Sequence, residues 1–249
     1  MLRPVHFEWH QLALGAAAAF LVGLSKTAVP GLGILIVVLM ATAFEDAKLS
    51  VGALLPLLIC GDLFAVGYYR RHAQWKRIWP LLPWVAVGMG LAAFFLHWIP
   101  NHAFRPFLGG MVLLLVLVEL ARRKWQWTRM PGHPLFAAAI GAMAGFATTI
   151  GNAAGSIMVL YLLSHGLDKQ RFIGTLAWYF LIVNLAKVPL FAGLGMITAE
   201  TLLFDGIVCA FTALAAIVGT RLLPRIPQRL FNTAVLALAA LAALKLVLG

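Results

Sequence analysis

The sequence predicts an all-α polytopic membrane protein made of two inverted repeats, each a broken helical hairpin followed by three spanning helices. The first observation behind this is composition. Of 249 residues, 63% are hydrophobic and only 11% charged, and the mean hydropathy is +0.96. Soluble domains carry roughly 45–50% apolar and about 25% charged residues. Apolar stretches of spanning length, about 20 residues, recur along the whole chain and leave no room for a soluble domain. The second observation is a pair of broken apolar runs. Residues 20–44 are interrupted by Ser25, Lys26, Thr27, Pro30, Gly31 and Gly33, and residues 146–163 by Thr148, Thr149, Gly151, Asn152, Gly155 and Ser156. Irregular backbone at membrane depth survives only when buried in protein or lining a polar cavity. Interrupted segments at matching places in two halves point to a transporter's binding site. The third is the placement of Lys and Arg, which sets direction.

In order, the first repeat (1–121) opens with a hairpin over 9–44. Its arms are 9–25 and 31–44, the second too short for a full crossing and suited to a re-entrant helix. After the polar turn Glu45–Lys48, spanning helices are expected at 48–69, 78–98 and 104–121, with Trp79 as an interfacial anchor. A basic linker, 122–134, carries Arg122, Arg123, Lys124 and Arg129. The second repeat (135–249) has a hairpin at 135–164 with arms 135–150 and 153–164, then helices at 172–192, 199–221 and 228–248. A slide of 122 positions aligns Gly33 with Gly155, Gly52 with Gly174, Leu54 with Leu176 and Asp62 with Asn184. A slide of 127 aligns Ile99-Pro100 with Ile226-Pro227 and Phe104 with Phe231. The start, Met1–His10, lacks the charge pattern and cleavage site of a signal peptide.

Short loops rich in Lys and Arg stay cytoplasmic. The loop at 70–77, with Arg70, Arg71, Lys76 and Arg77, and the linker at 122–134 are therefore inside. The loop Gly193–Glu200 has no Lys or Arg, whereas Arg221, Arg225 and Arg229 cluster one helix later. The helices at 48–69 and 172–192 then run in opposite directions. That holds only if both broken stretches are hairpins that return to the side they entered. Both termini come out external, in a bacterial-type cytoplasmic (inner) membrane.

At a hairpin tip, the first turn of the returning helix has N–H groups without internal partners, and with the helix dipole these favour an anion. Gly31, Gly33, Ala153, Ala154 and Gly155 leave that backbone open. Ser25, Thr27, Thr148, Thr149, Asn152 and Ser156 add hydrogen-bonding groups, and Lys26 adds a positive charge. Asp62 and Lys187 lie well inside spanning helices, where ionisable residues are functional candidates. Lys187 reads as a second anion ligand, and Asp62 as a proton-carrying coupling group or the partner of a lysine. Asn184, aligned with Asp62 and one turn before Lys187, joins the set with Tyr179 nearby.

The net charge of +11, from 19 Lys+Arg against 8 Asp+Glu, sits mostly in short loops beside anionic lipid headgroups, so nucleic acid is not an expected partner. Histidines 6, 10, 72, 97, 102, 133 and 165 fall at helix ends or in loops without ligand spacing, so no metal is expected. Cys60 and Cys209 each fall within a helix and read as small buried hydrophobes rather than a disulfide. Glu119, near the end of its helix, reads as interfacial. No HExxH, GxSxG or P-loop pattern occurs, so neither an enzyme nor a cofactor is expected.

The segment GLSKTAVPGLG, opening a short apolar helix, and its counterpart TTIGNAAGS after the basic linker resemble the sulfite exporter TauE/SafE family over nearly the full length. The resemblance implies a small two-repeat permease handling sulfite, organosulfonates or other sulfur-containing anions. Ser25-Lys26-Thr27 stands where a glycine-rich break is commoner. The expected function is a secondary transporter, exporting such an anion from a site between the two hairpins, with protons as a possible coupling ion. An anion channel, or an uptake carrier for another small oxyanion or carboxylate, is the alternative.

Overall fold

A computed structural model describes residues 7–27, 32–125 and 134–222. The helix expected at 228–248, the tip residues Pro30 and Gly31, and most of the basic linker lie outside them. All regular structure among the described residues is helical. Among the described residues, four helices are long and apolar enough to cross a membrane, at Ala47–His72, Asn101–Ala121, Gln170–Gly193 and Ala199–Gly219. The protein is an integral membrane protein.

The first broken stretch forms α1 (Trp9–Thr27) and α2 (Gly33–Ala43). Helix α1 runs two residues further than expected, because Ser25, Lys26 and Thr27 can all continue a helix; the breakers are Pro30, Gly31 and Gly33. Helix α3 (Ala47–Tyr69) starts at an N-cap, Asp46, whose carboxylate accepts from the N–H groups of Lys48 (2.8 Å) and Leu49 (3.0 Å). The segment expected as one helix at 78–98 is split into α4 (Trp75–Ile78) and α5 (Leu82–Trp98). Pro80 and Pro83 explain the split: neither has an N–H to donate, and Pro83 sits in the first turn of α5, where that loss is harmless. Helix α6 covers Asn101–Trp125.

The second stretch forms α7 (Pro134–Gly151) and α8 (Gly155–Leu163), followed by α9 (Lys169–Gly193) and α10 (Ala199–Leu222). Asp168 caps α9 by accepting from the Arg171 N–H at 2.9 Å. Asp46 and Asp168 are separated by the same 122 positions that align Asp62 with Asn184. The same device therefore starts α3 and α9.

The two halves exchange partners. Helix α1 lies along α10, α7 lies along α5, and α3 crosses α9. Lipid tails are as apolar as leucine, so close van der Waals packing, rather than escape from water, holds such helices together. Glycines permit it here. A Cβ on Gly23 would overlap the Thr212 carbonyl on α10, and one on Gly145 would overlap the Val85 carbonyl on α5. Three apolar clusters result among the described residues: one around α1, α2 and α3, one around α7, α8 and α9, and a smaller one of Ala65, Val66, Ala177 and Leu181 where α3 meets α9. Outside them, Leu63, Phe64, Leu91, Leu117, Ile207 and Leu214 point outward, as a lipid-facing surface requires. Glu119 is buried against the protein.

Candidate functional site

Residues flanking both breaks, and residues where α3 meets α9, border one cavity of about 50 Å³. A water needs about 10–15 Å³ of such space, so the cavity has room for roughly four heavy atoms, the size of a small oxyanion. Its polar wall is made by Ser25, Lys26, Asp62, Thr148, Asn152 and Asn184, and Gly33 and Gly155 also line it. The start of α2 comes close to the second break: the nearest atom to a Cβ built on Gly33 is the Asn152 carbonyl oxygen, 3.9 Å away. A Cβ on Gly155 would meet only open space. Both returning helices start without a side-chain cap, α2 after Leu32 and α8 after Ala154. Their first N–H groups are thus left without partners in their own helices.

Lys26, on the last turn of α1, reaches α3, where its Nζ lies 2.6 Å from Asp62 Oδ1. The same ammonium stands 4.4 Å from the centre of the Phe180 ring, an additional cation–π stabilisation. The other carboxylate oxygen of Asp62 accepts from Asn184 Nδ2 at 2.6 Å. Asp62 and Asn184, aligned by sequence, therefore touch where the two halves meet. Asp62 is fully buried, and Asn184 Oδ1, also buried, has no hydrogen-bond partner among the described residues. An unpaired buried acceptor beside a cavity leaves room for a protonated or water-carried donor.

The second tip is held by a separate network. Lys187, fully buried on α9, donates to the Thr148 carbonyl (3.2 Å), the Thr148 hydroxyl (3.1 Å) and Asn152 Oδ1. Asn152 Nδ2 in turn donates to the Val51 carbonyl on α3 at 3.0 Å. Asn152 also ends α7 with φ +53°, a left-handed conformation that Asn tolerates better than most residues. One asparagine thus turns the chain and links α7 to both crossing helices.

Of the residues expected at the site, Ser25, Lys26, Gly33, Asp62, Thr148, Asn152, Gly155 and Asn184 line the cavity together. Lys187 bonds to Thr148 and Asn152 of that wall and does not itself line the cavity. Thr27 and Thr149 are buried with their hydroxyls donating to Gly23 and Gly145 of their own helices, both at 2.9 Å. Ser156 is buried and does not line the cavity, and Gly31 lies outside the described residues. Tyr179 is fully buried, its hydroxyl without a partner among the described residues, and is not part of the wall. The sequence reading missed Phe180. Its position four residues before Asn184, hence on the same helix face, was the available signal.

A model of the sulfite exporter TauE/SafE family matches residues 15–246. The chain belongs to the TauE/SafE sulfite exporter family. The match takes in both broken stretches and every cavity-lining residue. No curated protein and no solved structure matched the chain. Membership makes it a membrane transporter of the sulfite-exporting class, consistent with the apolar helices. No group of three or more His, Cys, Asp and Glu side chains that could hold a metal occurs among the described residues.

Proposed function

We propose that this TauE/SafE transporter carries a small sulfur oxyanion, sulfite or an organosulfonate, out of the cytoplasm through the cavity between the two hairpin tips. The observation that supports it most is the Lys26–Asp62 pair, held at 2.6 Å on the wall of a cavity that two uncapped helix N-termini border. Lys26 offers the charge an anion needs. Asp62 competes for that charge: an anion on Lys26 brings a second negative group beside the carboxylate, and protonation of Asp62 removes the conflict. Anion binding is then accompanied by proton uptake. The proposed inner-membrane location sets the driving force. Inside-negative potential favours outward movement of net negative charge by about 2.3 kcal/mol per charge per 100 mV. A sulfite dianion carrying one proton with it still moves one net charge outward.

The lining of the cavity along α9 supports one side of entry. Its cavity-lining residues extend from Asn184 back to Ile173, toward the end where Trp178 Nε1 donates to the Arg70 carbonyl at 3.3 Å and Thr175 Oγ1 accepts from the Gln74 N–H at 2.9 Å. The basic turn at 70–77 therefore adjoins the cavity's extended flank. Since short basic loops remain cytoplasmic, this supports loading from inside.

Purified protein in liposomes should move sulfite or a sulfonate, and Lys26→Ala should reduce flux to that of protein-free vesicles. Normal transport by that variant removes Lys26 from the site. A sulfonate stays anionic across the accessible pH range, so its own protonation cannot mask the coupling. Its binding should tighten as pH falls and release an alkaline signal in weak buffer, and Asp62→Asn should abolish both effects.

A further inference from the structure

The only two cysteines of the chain are 149 residues apart, and the fold brings them together: Cys60 Sγ on α3 and Cys209 Sγ on α10 lie 3.2 Å apart. Both are free thiols and both are partly rather than fully buried. Their neighbours Leu63 and Phe64 on α3, and Ile207 and Phe211 on α10, face outward. The seam is thus open to the lipid phase. A disulfide requires the sulfurs to close by only roughly 1 Å, within the reach of small side-chain rotations.

We propose that Cys60 and Cys209 form a reversible disulfide that locks α3 to α10 and arrests transport. This effect on transport rests on the anion-carrier reading above; formation of the bond does not. The oxidant is of the lipid-soluble quinone class, which reaches the seam from the bilayer. Each thiol gives up its proton, the pair gives up two electrons, the S–S bond forms, and the quinone becomes hydroquinone by taking both protons and both electrons. A dithiol reductant reverses the step by thiol–disulfide exchange.

The consequence follows from what α10 already holds. Helix α1 is packed backbone-to-backbone against α10 at Gly23, and Thr212 Oγ1 donates to the Ala19 carbonyl at 2.9 Å, so α1 and α10 form one unit. Helix α3 carries Asp62, two residues after Cys60, and Asp62 meets α1 at Lys26. An anion entering between Lys26 and Asp62 must separate α1 from α3. A covalent bond from α3 to α10, the carrier of α1, opposes that separation.

The test uses the full-length protein in liposomes, treated with a short-chain benzoquinone and then, in half the sample, with a dithiol reductant. Before oxidation the denatured protein takes up two maleimides. After it, the monomer should take up none, its intact mass should fall by two hydrogen atoms, and sulfite flux should fall to the protein-free background until reductant restores it. Cys60→Ser and Cys209→Ser should each transport normally and resist the quinone. Two reactive thiols after oxidation, or bonds formed only between molecules, overturn the proposal. A monomeric disulfide with unchanged flux overturns the lock. If the reduced protein moves no sulfur anion at all, the carrier reading fails, and the bond is judged by mass and by the thermal unfolding midpoint. Oxidation must then raise that midpoint in the unsubstituted protein and leave both serine variants unmoved, or the lock fails as well.

Discussion

Asp62→Ala should cost about 3–5 kcal/mol of stability and abolish transport, because it strands a nearly buried ammonium without its counter-charge. Lys26 is only one-tenth exposed and its Nζ lies 2.6 Å from the carboxylate. With the carboxylate gone, only the Phe180 ring, 4.4 Å from the ammonium, remains as a named partner, and a ring face is worth about 2 kcal/mol even when desolvated. Asn184 also loses its acceptor. Removing both charges has a different outcome. In Lys26→Met combined with Asp62→Leu, no charge is left to desolvate, so thermal unfolding should return close to that of the parent while flux stays at background. The contrast separates two roles that a single substitution confounds. A double variant that transports shows the pair only closes the bundle; one that is as unstable as Asp62→Ala shows that Asn184 or the fit of the side chains, rather than charge, was the larger contribution. The measurements are thermal unfolding in detergent and sulfite flux in liposomes, made on the same preparations.

The elements most legible in the sequence were those fixed by local chemistry. Pro30 and Gly33 mark the first break, and Asn152 with Gly155 the second, because each changes what the backbone can do. The polar turn before α3 could be placed, and Asp46 proves to be the cap within it, as Asp168 is for α9. The alignment of Asp62 with Asn184 was also readable, and the two side chains meet. Rotamers were not readable. A threonine near a break can face a cavity or bond the carbonyl four residues back, and Thr27 and Thr149 do the second. Nor was the choice of partner for Asp62: both Lys26 and Lys187 were at plausible depth, and only the packing of α1 against α3 selects Lys26. Phe180 escaped because an aromatic in a spanning helix ordinarily faces lipid or core. The contact of Cys60 with Cys209 depends on α10 docking between α1 and α3, which no local pattern encodes.

Lys187→Met should release the second hairpin tip while leaving the cavity wall chemically intact. Methionine fills most of the space of the lysine stem, so the loss is mainly polar. Thr148 and Asn152 lose the donor they share, and each buried acceptor left unpaired costs about 1–3 kcal/mol. Asn152 is the sensitive point, since its left-handed backbone is held by the bonds of its side chain to Lys187 and to the Val51 carbonyl. Asn152→Gly keeps that backbone at low strain and removes both bonds. If Lys187 acts through Asn152, the two substitutions are not additive, and a double-mutant cycle on thermal stability should give a coupling of about 0.5–3 kcal/mol. The kinetics discriminate further. A residue that positions the tip should raise the anion concentration needed for half-maximal flux while a residual maximal flux persists, because Lys26 and the α2 N-terminus remain. A residue that itself binds the anion should behave as Lys26→Ala does and lose flux at every concentration. Additive effects on stability, together with complete loss of flux, would return Lys187 to the role of a direct ligand that its depth in the membrane first suggested.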